Sequence, residues 1–186
     1  MPQIEFINRF ILSAGAIVKF YEPKEINFRI VTKIKEDNYQ ATQEEIAEGF
    51  AQSSYCAAKY LCEDESSNRA LMRVYMQVPW INTESYPPEE RQKQATAESE
   101  EVHMEVVALR AFWKKSSSIT PALLGFKEGR QTASMPVPNG YIIYLVWAEV
   151  PGVHLGDSMG PTNFWKLPDD EKELIHKTFL RELQQV

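Results

Sequence analysis

The sequence predicts an α+β fold, a mainly antiparallel sheet with one long packing helix and a second helix at the C-terminal end. Three observations predict it. The runs "NFRIVTKIK", "YCAAKYLCE" and "ALMRVYMQV" have the composition and alternation of strands. Between residues 89 and 115, Val102, Val106, Leu109 and Trp113 recur every three to four positions, which is the spacing of one helical face. Strands come in succession before that helix and again after it, rather than alternating with helices, so the sheet is not of the parallel βαβ kind.

Residues 5–21 read as two short strands, "RFILS" and "AIVKFY", around Ala14-Gly15, and residues 27–35 as another. In "ATQEEIAEGF", Thr42 followed three residues later by Glu45 is a capping box for a short helix, with a strand entry as the alternative. "YCAAKYLCE" and "ALMRVYMQV" are joined by "DESSNR", a hairpin connection. The three prolines of "PWINTESYPPEERQK" exclude a central strand, so this segment is a loop feeding the long helix, about Glu89 to Lys115. That helix carries Ala108 and Phe112 beside its apolar stripe and stops at "KKSSS", where cations complement the macrodipole. "ITPALLGF" is a strand with Pro121 at its entry, and "YIIYLVWAEV", the most apolar stretch, is the candidate central strand. A last amphipathic helix begins near Pro168-Asp169, with Asp169, Asp170 and Glu171 as first-turn acids.

Composition narrows the function classes. With 44% hydrophobic and 25% charged residues the chain can bury a core. A net charge of -6 with scattered basic residues disfavours phosphate-backbone binding, so no nucleic-acid partner is expected. No apolar run approaches the ~18 residues of a membrane span, and "FILSAGAIV" lacks the positive lead and cleavage site of a signal peptide. Cys56 and Cys62 match neither a CxxC pair nor a zinc knuckle, and on one strand they would stand some 20 Å apart at about 3.3 Å per residue. Two reduced thiols point to a cytoplasmic chain.

Arg73, in the middle of "ALMRVYMQ", poses the chemical question. A cation in an apolar run must reach water or meet an anion, because burying it unpaired is too costly. The following helix offers Glu98, Glu100, Glu101 and Glu105. A strand cation aimed by a carboxylate on the covering helix is one arrangement that holds nucleotide phosphates. A structural salt bridge, or an arginine reaching the sheet edge, is the plain alternative.

The blocks "ALMRVYMQVPW", "EVVALRAFWKKSSSITPALLGF", "GYIIYLVWAEVPGVHLGD" and "FWKLPDDEKELI" together resemble the N-terminal lobe and hinge of the protein-kinase-like and aminoglycoside-phosphotransferase-like superfamily, in the form of its uncharacterised fungal members. The resemblance covers roughly residues 55–183. It implies a kinase N-lobe-like sheet over 51–152, an extension of short strands and turns over 1–50, and an interlobe linker with the start of a truncated C-lobe helix over 153–186. It places Arg73 where the family has its phosphate-binding lysine and Glu105 where the family has its helix glutamate. "WAEVPG", with Glu149 and Val150 at its centre, falls on the hinge that meets adenine through its backbone. The implied cofactor is ATP.

The sequence also departs from the family's pattern. Arginine replaces lysine, and its planar fork does not sit where an ammonium sits. "AEGFAQSSY" has the single Gly49 where a glycine-rich loop belongs. "HLGDSMGPTN" superficially resembles H-x-D-x-x-x-x-N, but one extra residue separates His154 from Asp157 and another separates Asp157 from Asn163. His103 and His176 are read as packing or surface residues, and Ser158 is not in G-x-S-x-G. With no catalytic or metal-binding residue to name, the resemblance implies a nucleotide-binding lobe that is not catalytic as this chain, whose catalytic half would follow Val186. The alternative is a non-catalytic, pseudokinase-like interaction module that binds a protein through an exposed apolar face near "YLVWAEVPGV" and Phe164-Trp165. A small α+β ligand-binding domain unrelated to kinases would show no contact between Arg73 and Glu105.

Overall fold

A computed structural model describes residues 4–7, 12–51, 53–96, 103–156 and 160–183. Six strands form one antiparallel sheet: β1 (Ile17–Phe20), β2 (Ile26–Tyr39), β3 (Tyr55–Glu63), β4 (Arg69–Gln77), β5 (Leu123–Arg130) and β6 (Tyr141–Ala148). Their order across the sheet is β1-β2-β3-β4-β6-β5, so β6 lies inside and β5 at an edge. Four helices accompany them: α1 (Gln43–Ala47), α2 (Pro88–Gln92), α3 (Met104–Lys114) and α4 (Asp169–Leu183). The fold is α+β, as the strand succession requires.

The β3–β4 hairpin is the centre of the sheet, and its register, Tyr55 opposite Gln77 to Glu63 opposite Arg69, places every second residue on each face. One face carries Ala58, Tyr60, Cys62, Met72, Val74 and Met76, which join Phe20, Phe28, Ile30 and the chain around Phe6 and Ile7 in a buried cluster. The other face carries Ala57, Tyr75, Ile143, Leu145 and Trp147, closed by Val106 of α3. Covered on both faces, β4 and β6 read as near-continuous apolar runs instead of clean alternations. Cys56 and Cys62 are buried, unpaired, and on the same face. Burial raises both thiols, Cys62 to about 12 and Cys56 well above its ordinary value.

The sheet coils until its edges meet. Just past β1, Glu22 pairs with Phe126 of β5, the Phe126 N–H donating to the Glu22 carbonyl at 2.8 Å. Phe20 then lies against Gly125, where a Cβ would stand 2.8 Å from the phenyl ring.

Two buried glutamines tie the loops to the sheet. Gln77 donates to the Gln94 carbonyl at 2.6 Å and accepts from the Thr96 N–H at 3.1 Å. Gln131 donates to the Gln77 and Tyr141 carbonyls and accepts from the Val137 N–H. These bonds satisfy main-chain groups that burial would otherwise leave orphaned.

The long helix expected over 89–115 is not continuous. α2 stops at Gln92 because the backbone at Gln94 and Thr96 is taken by the Gln77 side chain, and the second helix starts at Met104. Val102, Glu98, Glu100 and Glu101 lie outside the described residues. The capping box at Thr42 and Glu45 forms on both sides, so the ambiguous segment after β2 is a helix. The strand expected at "RFILS" falls partly outside the described residues, and Leu12 and Ser13 are not in a strand. "AIVKFY" and "NFRIVTKIK" become β1 and β2.

Gly125→Ala will destabilise the fold by about 1–3 kcal/mol, because the added methyl meets the Phe20 ring inside a filled core. Urea unfolding checks it; an unchanged midpoint would show that the ring yields freely.

Candidate functional site

The α3 face of the sheet brings Arg73 and Glu105 together. Arg73 is the middle residue of β4, paired across to Lys59 on one side and Leu145 on the other. Glu105 is in the first turn of α3, where the helix dipole favours a carboxylate. Val106, the fully buried residue beside it, fixes the helix on the sheet. Arg73 Nε then lies 3.2 Å from Glu105 Oε2, with both side chains about 30% exposed, 29% and 31%. The Tyr75 hydroxyl, two residues along the same strand, donates to the same oxygen at 2.6 Å. Burial and the neighbouring Glu105 carboxylate push the Tyr75 hydroxyl pKa up, so it remains a donor.

The ion pair does not use the guanidinium fully. Arg73 Nε is buried and makes no aligned hydrogen bond despite its closeness to Glu105. Its Cζ lies 5.9 Å from the centroid of the Trp147 ring, a cation–π contact. With Nε turned to Glu105, the partly exposed end of the fork is the part of this arginine that a phosphate oxygen could meet.

A second tie holds α3 at its middle. Arg110 Nη2 meets Glu22 Oε1 at 3.0 Å, and its guanidinium lies 4.2 Å from the Phe126 ring centroid. The helix is thus fastened both to β4 and to the point where the sheet closes on itself.

His103 is the residue before α3 and packs rather than binds. Its ring stacks on Tyr75 at 3.9 Å and meets Tyr55 edge-on at 4.8 Å, leaving 4% of the residue exposed. Burial lowers its pKa from 6.5 to about 4. His176 is exposed on α4.

Glu149 and Val150 follow β6 directly. The Glu149 carboxylate is engaged by Arg69 at the start of β4, at 2.9 Å from Nε and 3.2 Å from Nη2, which fixes the exit of β6. Val150 is 55% exposed. Farther on, the Asn163 amide donates to the His154 carbonyl, while Asp157 and Ser158 lie outside the described residues. Gly49 follows α1 in the β2–β3 connection with φ +77°. Among the described residues no group of three or more His, Cys, Asp or Glu is arranged to hold a metal, and no helix is long and apolar enough to cross a membrane.

A cavity of about 710 Å³ opens elsewhere, between Phe6, Pro79, Glu84, Arg91, Met135 and Tyr144. Tyr144 alternates with Leu145 along β6, so this cavity belongs to the face opposite Arg73. It contains none of Arg73, Glu105, Glu149 or Val150.

Sequence reasoning missed Tyr75 as the second holder of Glu105. The two-residue spacing from Arg73 to Tyr75 puts both on one face of a strand and was the available signal. Comparison with models of protein families, with curated proteins and with solved structures gives no match.

The buried neutral His103 makes stability depend on pH. With the folded pKa near 4 and the unfolded one near 6.5, its contribution is complete above pH 6.5 and is lost as pH falls toward 4, up to about 3 kcal/mol. Urea unfolding at pH 7 and pH 4.5 should show this loss in the wild type and much less of it in His103→Phe. Equal losses in the two would remove His103 from the effect.

Proposed function

We propose that this chain is the nucleotide-binding lobe of a kinase-like phosphotransferase. The ion pair between Arg73 and Glu105 carries the reading. It joins a cation on an inner strand to a carboxylate on the helix that follows, and a β5–β6 pair then leads to "WAEVPG". A small α+β domain unrelated to kinases has no requirement for the Arg73–Glu105 contact.

ATP fits the chemistry of this face. The partly exposed end of the Arg73 guanidinium would hold a phosphate oxygen, and Glu105, paired with its Nε and itself held by Tyr75, would fix the direction of the guanidinium. The backbone at Glu149 and Val150 would meet the base, with Arg69 fixing that segment through the Glu149 side chain. ATP itself would supply the phosphoryl group. Acceptor orientation and magnesium binding would require an aspartate base and an Asp/Asn metal pair. The buried unpaired thiols of Cys56 and Cys62 favour a cytoplasmic setting.

A second reading, a non-catalytic pseudokinase-like interaction module, has its own support. Val150, Val153 and Trp165 are 55%, 84% and 66% exposed, and Leu174, Phe179 and Leu180 on α4 are exposed as well. Exposed apolar side chains of this kind would suit a protein partner.

Titration calorimetry with ATP and magnesium distinguishes them. The wild type should bind, and Glu105→Gln should weaken binding by about tenfold or more, since it releases Arg73 while keeping the side-chain shape. Wild-type binding with unchanged affinity in Glu105→Gln would remove the pair from the site. No binding to the wild type would make the pair structural and favour the interaction module.

A further inference from the structure

The face that carries Arg73 holds a row of cations that the ion pair with Glu105 does not explain. Lys35 on β2 is the register partner of Lys59 on β3, and Lys59 is the register partner of Arg73 on β4. Directly opposed residues of antiparallel strands point to the same face with Cβ atoms about 5 Å apart, so three positive charges stand side by side. Like charges so placed destabilise a sheet, and the chain as a whole has a net charge of -6. Something must compensate for this concentration.

The carboxylates compensate only the ends of the row. Lys35 meets Asp37 at 2.9 Å, and Arg73 meets Glu105 at 3.2 Å. The Arg73 charge still reaches Lys35, where it opposes the upward pull of Asp37 on the ammonium. Lys59, between them, has no carboxylate partner among the described residues. Its Nζ lies 5.9 Å from the centroid of the Trp147 ring, the same ring that Arg73 approaches at 5.9 Å. Two cations therefore converge on one aromatic ring, Lys59 without a carboxylate among the described residues and Arg73 with its Nε turned to Glu105 and its side chain 29% exposed.

The geometry points to an anion site on this row, in which Lys59 and Arg73 jointly bind a polyphosphate chain. The inference rests on the nucleotide reading where that chain belongs to a nucleotide, and stands apart from it where the chain is inorganic. Multiple charge fits the site better than a single carboxylate, because the cations are spread over three adjacent strands. The β2–β3 connection offers the single Gly49 and a short helix, so side chains have to supply the positive charge that a nest of backbone N–H groups supplies elsewhere.

Calorimetry with inorganic tripolyphosphate and with ATP, each without magnesium and at low salt, tests this on the wild type, Lys59→Gln and Lys59→Arg, with thermal melting as the folding control. Tripolyphosphate should bind the wild type, and Lys59→Gln should weaken both ligands by about tenfold while Lys59→Arg retains most of the affinity. Equal affinity of the wild type and Lys59→Gln for both ligands would overturn the site and leave the nucleotide reading standing. Lys59-dependent binding of tripolyphosphate, with no added affinity for ATP, would support the anion site and remove the nucleotide from it. Binding of neither ligand to the wild type would overturn the anion site, and the nucleotide reading with it if ATP with magnesium also fails to bind.

Discussion

A guanidinium in the middle of an apolar strand has to be met by an anion, and much of this molecule is arranged around that requirement. Arg73 sits on β4 between Lys59 and Leu145, and the carboxylate that answers it comes from a helix about thirty residues later in the chain. Glu105 can arrive there because Val106 is driven into the apolar face beside it, so hydrophobic burial positions the charge and the charge orients the helix. Tyr75 donates to the same oxygen, which ties helix and strand by two residues rather than one. The partial exposure of the pair spares it the full desolvation cost of a buried bridge.

The second determinant is closure of the sheet. β1 and β5 are the edge strands by order, yet the bridge between Glu22 and Phe126 brings them together, and the Arg110–Glu22 pair fastens α3 to the same point. Closing edges removes unpaired main-chain groups that would otherwise attract another chain. It also encloses Phe20 and Phe28, which meet edge to face at 5.9 Å. Gln77 and Gln131 do for the loops what the bridge does for the edges, giving buried carbonyls and N–H groups a partner.

The two faces of the sheet consequently differ in character. One is apolar and filled, with a cavity at its margin toward Met135 and Tyr144. The other carries a row of cations, an aromatic ring shared by two of them, and a carboxylate at each end. The proposed phosphate recognition rests on the cations of the second face, whereas the size of a cavity alone would have directed attention to the first.

Much of this was legible in the residues themselves. Alternation and apolar runs determined β3, β4, β5 and β6, because a strand's period of two is a local property, and Thr42 with Glu45 determined α1 through bonds only three residues long. The pairing of Arg73 with Glu105 was foreseeable because the segment that follows the strand and its loop offers only four candidate carboxylates, Glu98, Glu100, Glu101 and Glu105. The break after Gln92 was not, since the group that captures the backbone there, Gln77, lies many residues earlier. The alignment of Lys35, Lys59 and Arg73 depends on register, which irregularities in the β2–β3 pairing shift by whole residues, and no local pattern reports it. The sequence by itself determined which elements form and that Arg73 needs an anion, because propensity, periodicity and charge are written locally. Only the tertiary structure decided which cations stand beside Arg73, that Tyr75 shares Glu105, and that the sheet closes on itself, because each of these is a contact between strands or helices distant in the chain.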